Sequence, residues 1–189
     1  PRPLPWFTLL GLAARAVAQT KQCDPNVPEV AFQEMPLDDD FVGARGVLAA
    51  DLNGDGDADV LAVSHTGDLF KWFENKLHPG LNISFTGRDV VNARTAKDAW
   101  SAHAADLDGD GDIDLLLSYG LVAADSFVTW YENDDTATFP FADATKERTI
   151  REYYKAKEAK MVHGADVDGD GQIDALVAIY GDNAVKLLV

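Results

Sequence analysis

Three stretches of this chain space side-chain oxygens two residues apart with glycines between them. They are Asp51 to Asp59 (Asp-Leu-Asn-Gly-Asp-Gly-Asp-Ala-Asp), Asp106 to Asp114 (Asp-Leu-Asp-Gly-Asp-Gly-Asp-Ile-Asp) and Asp166 to Asp174 (Asp-Val-Asp-Gly-Asp-Gly-Gln-Ile-Asp). Thirteen of the 32 acidic residues fall in these 27 positions, so much of the acidity is local rather than a general solubilising coat. Carboxylates packed this closely repel one another, and a hard cation among them accounts for the cluster. Calcium takes about six to eight oxygens in a flexible shell, which a tight loop with alternate side chains turned inward can deliver. In the second loop Asp106, Asp108 and Asp110 are the first expected ligands, Asp112 lends its backbone carbonyl, and Asp114 closes the shell. The matching sets are Asp51, Asn53, Asp55, Asp57 and Asp59, then Asp166, Asp168, Asp170, Gln172 and Asp174. The seventh position varies between Asp and Gln, as befits a residue that ligates through its carbonyl. Gly56, Gly111 and Gly171 permit the sharp turn. The expectation is three Ca2+ sites, magnesium being a poorer match for a cage of many carboxylates.

Two other readings compete. An EF-hand shares the first positions but needs a bidentate Glu at the twelfth, where this chain has Ala62, Leu117 and Val177 inside apolar runs; dockerin-like loops fail on the same ground. Metal-free acidic turns would explain one copy, but three copies with a shared spacing argue against that.

The elements that must position these loops are periodic. The loops begin at residues 51, 106 and 166, and their flanks recur with them. Gly46–Ala50, Ser101–Ala105 and Met161–Ala165 lead in; Val60–Val63, Leu115–Leu117 and Ala175–Ile179 lead out as short apolar runs bounded by turn residues, which read as buried strands. Leu69–Asn75 matches Phe127–Asn133, and Val185–Val189 begins a third copy. Phe85–Val90 and Phe139–Ile150 offer a fourth, less regular strand. Residues 149–159 read as a loop or short helical turn. Each unit is thus about four strands with one acidic loop, a size that suits a propeller blade.

With these motifs the chain resembles the FG-GAP or VCBS-type repeat family, the calcium-loop β-propeller blades also found in the integrin alpha-subunit head. The resemblance covers residues 31–189 and rests on Asp-x-Asp-Gly-Asp-Gly-x-x-Asp followed by an apolar strand. Trp72-Phe73-Glu74-Asn75 and Trp130-Tyr131-Glu132-Asn133 look like the VCBS subtype. The literal Phe-Gly and Gly-Ala-Pro elements are missing; Phe41-Val42-Gly43 and Tyr119-Gly120 stand nearest to them. The resemblance implies an all-β fold, a partial β-propeller of about three four-stranded blades with the last incomplete. Since three blades cannot close a ring, further blades or another chain are expected to complete it.

The remaining chain sets the context. A net charge of −16 argues against nucleic acid or an anionic membrane as partner. Residues 1–18 read as a signal peptide: Arg2 precedes an apolar run from Trp6 to Ala14, and Ala16-Val17-Ala18 fits a small-x-small cleavage site. The run is too short to span a bilayer. Residues 19–30 are a polar lead-in carrying Cys23, the one cysteine, which rules out a disulfide framework within this sequence. Asn82-Ile83-Ser84 is a glycosylation sequon, consistent with a secreted protein.

Other residues that invite chemistry have plainer readings. His103 and His163 precede their loops by three residues, where the first copy has Leu48, and so read as packing positions; His65 and His78 lie in turn-like stretches. Trp72 and Trp130 recur at the repeat period and read as core or inter-blade packing rather than a sugar platform. No nucleophile elbow, phosphate loop or His-Glu-x-x-His motif is present, and Asp38 with Asp39 is a weak case for glycoside hydrolysis. The leading expectation is a secreted, calcium-stabilised, non-enzymatic repeat module that binds extracellular protein or glycan. The alternative is the scaffold part of a secreted enzyme acting on polysaccharide or lipid.

Overall fold

The computed structural model describes residues 32, 34–76, 83–90, 97–120, 126–133, 141, 147–149 and 158–189. The expected signal peptide and lead-in, Cys23, His78, Asn82 and residues 150–157 lie outside the described residues. Pro36–Val189 forms one compact unit. Among the described residues it holds eleven strands and no helix.

The strands form three antiparallel meanders. The first sheet runs β1 (Ala44–Ala50), β2 (Asp59–Ser64), β3 (Leu69–Asn75) and β4 (Phe85–Val90) in that order. The second repeats it with β5 (Lys97–Ala105), β6 (Asp114–Gly120), β7 (Ser126–Tyr131) and β8 (Glu147–Thr149). The third has β9 (Ala159–Ala165), β10 (Asp174–Ile179) and β11 (Ala184–Leu188). The strands expected from the apolar runs and from Leu69–Asn75, Phe85–Val90 and Phe127–Asn133 are therefore present. The irregular stretch Phe139–Ile150 contributes only Glu147–Thr149 as strand among the described residues.

The continuous Leu-Leu-Leu run of β6 is explained by its position. Successive strand side chains point to opposite faces. Leu115 and Leu117 enter a core with Leu61, Val63, Phe70 and Trp72 of the first sheet, while Leu116 enters a second core with Val162, Ala175, Val177 and Ile179 of the third. The middle sheet is buried on both faces, and every residue of β6 is buried. A strand covered on one face alone would alternate apolar with polar; one covered on both does not. Trp72 is fully buried in the first core, as expected of a packing residue. Trp130, on β7, borders an apolar cleft with Leu107, Ile173 and Leu187, between the second and third sheets.

Leu116→Ala should leave a cavity between the second and third sheets and cost about 2–5 kcal/mol, whereas Val47→Ala on the exposed part of β1 should cost under about 0.5 kcal/mol. Urea unfolding of both variants checks this. Similar, small losses for the two would show that the middle sheet is not packed on both sides.

Candidate metal centre

Each acidic loop joins the first strand of a sheet to the second. The turn demands glycine for its backbone rather than for space. Gly109 and Gly111 have φ of 80° and 102°, and a Cβ on either would meet nothing within 4 Å. The equivalent glycines of the other loops share this conformation. An L-residue there would be strained although unobstructed.

Within the turn, side-chain oxygens collect the loop's own amides. Asp106 accepts from the N–H of Gly109 (2.7 Å) and of Gly111 (3.0 Å), and Asp166 accepts from Gly169 (2.6 Å) and Gly171 (3.1 Å). Asp108 and Asp168 each accept from the amide two residues on, at 3.2 and 3.1 Å. The fifth-position side chains Asp55, Asp110 and Asp170 do the same for the seventh residue, at 2.9, 2.9 and 2.8 Å.

The last Asp of each loop is different in kind. Asp59 and Asp114 have no exposed surface and Asp174 is 5% exposed. One oxygen of each accepts from the second residue of its own loop, Leu52 (3.1 Å), Leu107 (2.9 Å) or Val167 (2.9 Å). In the first two loops the other oxygen accepts from the backbone N–H of Asn75 (2.8 Å), the last residue of the third strand, or Asn133 (2.7 Å), two residues past it. This carboxylate thus clamps the loop to the sheet beneath it.

The structure brings together the first, third and last acids of two loops. Carboxylate oxygens of Asp106, Asp108 and Asp114 lie within 4.8 Å of one another, as do those of Asp166, Asp168 and Asp174. The fifth-position side chains are exposed, outside these close triplets, as is Gln172, while Asp57 and Asp112 are half-buried. In the first loop Asn53 stands in place of the middle carboxylate, and its Nδ2 donates to Asp55 (3.1 Å) and Glu74 (3.5 Å). Glu74 is itself paired with Lys76 and with Arg88. The first loop therefore has the weakest demand for an external cation.

Electrostatics in the second loop point the same way. The Asp114 carboxyl is pushed up to about 6, chiefly by burial and further by the charges of Asp108 and Asp110, against the opposing pull of the Asn133 and Leu107 amides. Burial also raises Asp59, and it raises Asp108, where Asp110, Asp106 and Glu132 add to the effect. A raised carboxyl makes the metal-free fold hold more protons than the unfolded chain between about pH 4 and pH 6. Its contribution therefore grows as pH falls through that range and is lost as pH rises through about 6. A bound cation inverts this sign, because it favours the ionised oxygen. Among the described residues no Lys or Arg forms an ion pair with Asp106, Asp108 or Asp114. An all-oxygen, acid-rich set of this kind fits a hard divalent ion.

The asparagine that closes the Trp-x-Glu-Asn motif is a functional residue the sequence reading passed over. Asn133 is buried, and its Nδ2 donates to the carbonyls of Ile113 in its own loop and Leu52 in the preceding sheet's loop, both at 3.1 Å. Asn75 repeats the local half of this, reaching Ala58 at 3.0 Å. Its recurrence at the repeat period was the available signal.

These features define a repeat protein of antiparallel sheets, each with an acidic loop between its first two strands, braced in the first two sheets from residues at or just past the end of the third strand. Residues 51–117, from the first loop through most of β6, match the family model for the FG-GAP-like repeat. No curated protein matches the chain.

Asn133→Ala removes two hydrogen bonds and leaves buried carbonyls unsatisfied, so it should cost about 1–3 kcal/mol in equilibrium unfolding. A loss below about 0.5 kcal/mol would mean the inter-loop bridge contributes nothing.

Proposed function

We propose that the three sheets are blades of a β-propeller, that their acidic loops hold calcium as a structural ion, and that the chain is a secreted module binding extracellular protein or glycan. The observation that carries this reading is the repetition of one oxygen constellation between the first two strands of each sheet, with close acid triplets in two of the three. The family assignment of residues 51–117 supports it, since such repeats often bind calcium. The signal-like residues 1–18 and the sequon at Asn82 support secretion.

In this reading Asp106, Asp108 and Asp114, with Asp110 and the carbonyl of Asp112, hold the ion of the second loop; Asp166, Asp168, Asp174, Asp170 and Gln172 hold that of the third. Asp51, Asn53, Asp55, Asp57 and Asp59 hold the weakest. Calcium supplies positive charge where carboxylates are crowded and partly desolvated. The chain's own part is to preset the turn through its glycines and amides, and to pass order from the loop to the third strand through Asp114 and Asn133. The loop oxygens are engaged in holding the turn and the ion, which makes the role architectural rather than catalytic.

Calcium should raise the melting temperature and a chelator should lower it, by roughly 5 °C or more, an upward shift expected when ligand binds only the folded state. Asp108→Asn should remove most of the second-loop share of this shift, and Asn53→Asp should tighten the first site. Titration calorimetry showing no calcium uptake, with a melting temperature indifferent to calcium, would overturn the proposal.

A further inference from the structure

A second constellation lies where the first strands of the three sheets meet. Pairing in β1 skips Arg45, between Ala44 opposite Ser64 and Gly46 opposite Val63. In β5 it skips Trp100, between Ala99 opposite Tyr119 and Ser101 opposite Ser118. In β9 it skips Lys160, between Ala159 opposite Ile179 and Met161 opposite Ala178. All three bulged residues stand six positions before their loop, so one device recurs at one place. A bulge re-aims a side chain relative to the strand that follows it. Here it places residues three apart, which simple alternation would send to opposite faces, on one groove. Arg45, Trp100 and Lys160 line that groove together with Leu48, His103 and His163, around a volume of about 870 Å³.

The groove gathers positive charge in a chain whose net charge is −16. The Arg45 guanidinium lies 3.8 Å from the centre of the Trp100 ring and the Lys160 ammonium 3.0 Å from it. The rings of His103 and His163 touch, with centroids 4.1 Å apart. His65 packs on Trp100 at 4.5 Å. The carboxylates facing this group are Asp98, 4.0 Å from His65, and Glu158, 3.2 Å from Lys160. Among the described residues Arg45, His103 and His163 have no carboxylate partner. Leu116 and Leu176 stand opposite the two histidines. Packing does not require imidazoles here either, because Leu48 fills the same register position in the first sheet.

We propose that this groove is a binding site for a small oxyanion, a carboxylate or sulfate, free or borne on a saccharide, held by Arg45 and the His103–His163 pair. Arg45 offers a planar fork of donors suited to an oxyanion, and each imidazolium adds a charge-assisted donor. A divalent metal on the two histidines is disfavoured by Arg45 and Lys160 beside them. The chain's negative charge does not forbid the site: the nearest loop acids, Asp106 and Asp166, begin about 10 Å along the strands, close to one Debye length in physiological salt. Burial, and then the neighbouring His163, hold His103 below the usual imidazole range. An anion would draw protons onto the pair, so binding strengthens as pH falls.

The test is calorimetric titration of the whole chain with sodium sulfate and, separately, sodium glucuronate, with ionic strength fixed by chloride. Saturable binding is expected near pH 6, weaker by about tenfold near pH 8 and weaker by about tenfold in Arg45→Gln and in His103→Leu. Tighter glucuronate would assign the site to a carboxylate and tighter sulfate to a sulfate, and sodium acetate matching glucuronate would show that the saccharide ring adds nothing. Leu48 provides the precedent for a folded His103→Leu; should that variant melt early, the exposed Arg45→Gln decides. Absence of saturable heat with both salts, or affinities unmoved by pH and by Arg45→Gln, would overturn the proposal. Neither outcome depends on whether the acidic loops hold calcium.

Discussion

The structure depends on a carboxylate buried at the base of each acidic loop. Asp114 has no exposed surface, yet it must accept from Leu107 above and Asn133 below to hold the turn on its sheet. A neutral side chain without acceptors would leave two amides unsatisfied; an ionised one, without a cation nearby, carries the cost of burial and of its acidic neighbours. That conflict makes the loop more than a connection. The same group that positions the hairpin creates the demand for positive charge, so under the proposed calcium binding folding and ion uptake are linked through one residue.

From that clamp the rest of each unit follows. The loop joins the first two strands, in the first two sheets an asparagine at or just past the end of the third strand returns to the loop, and in the second sheet that asparagine also grips the loop of the first. Apolar cores and a polar bridge join the sheets together. Leu115 and Leu117 face one neighbour and Leu116 the other, while Asn133 ties the second sheet to the loop of the first at Leu52, itself a member of the first core.

Much of this was legible in the sequence because the repeat prints each element more than once. The strands stood out as apolar runs at fixed offsets from the loops, and the loops through oxygen donors at alternate positions. What was not legible depended on contacts between units. Asn133 looked like the end of a strand motif until its partner Leu52 was seen 81 residues away. His103 and His163 read as separate packing positions because the first copy has Leu48 there. Only the bulges show how Arg45, Trp100 and Lys160 come to line the groove of these histidines. A bulge leaves no mark in hydrophobic periodicity, since it changes facing without changing composition.

The most direct measurement of the central claim is the carbon-13 titration of the Asp114 carboxyl, with and without calcium. In chelator the resonance is expected to titrate near 6, where burial and its acidic neighbours hold it. In calcium it should stay ionised to well below the ordinary carboxylate range. The same midpoint in both conditions would contradict the account, because it would mean that no cation resides at the carboxylate on which the loop is built.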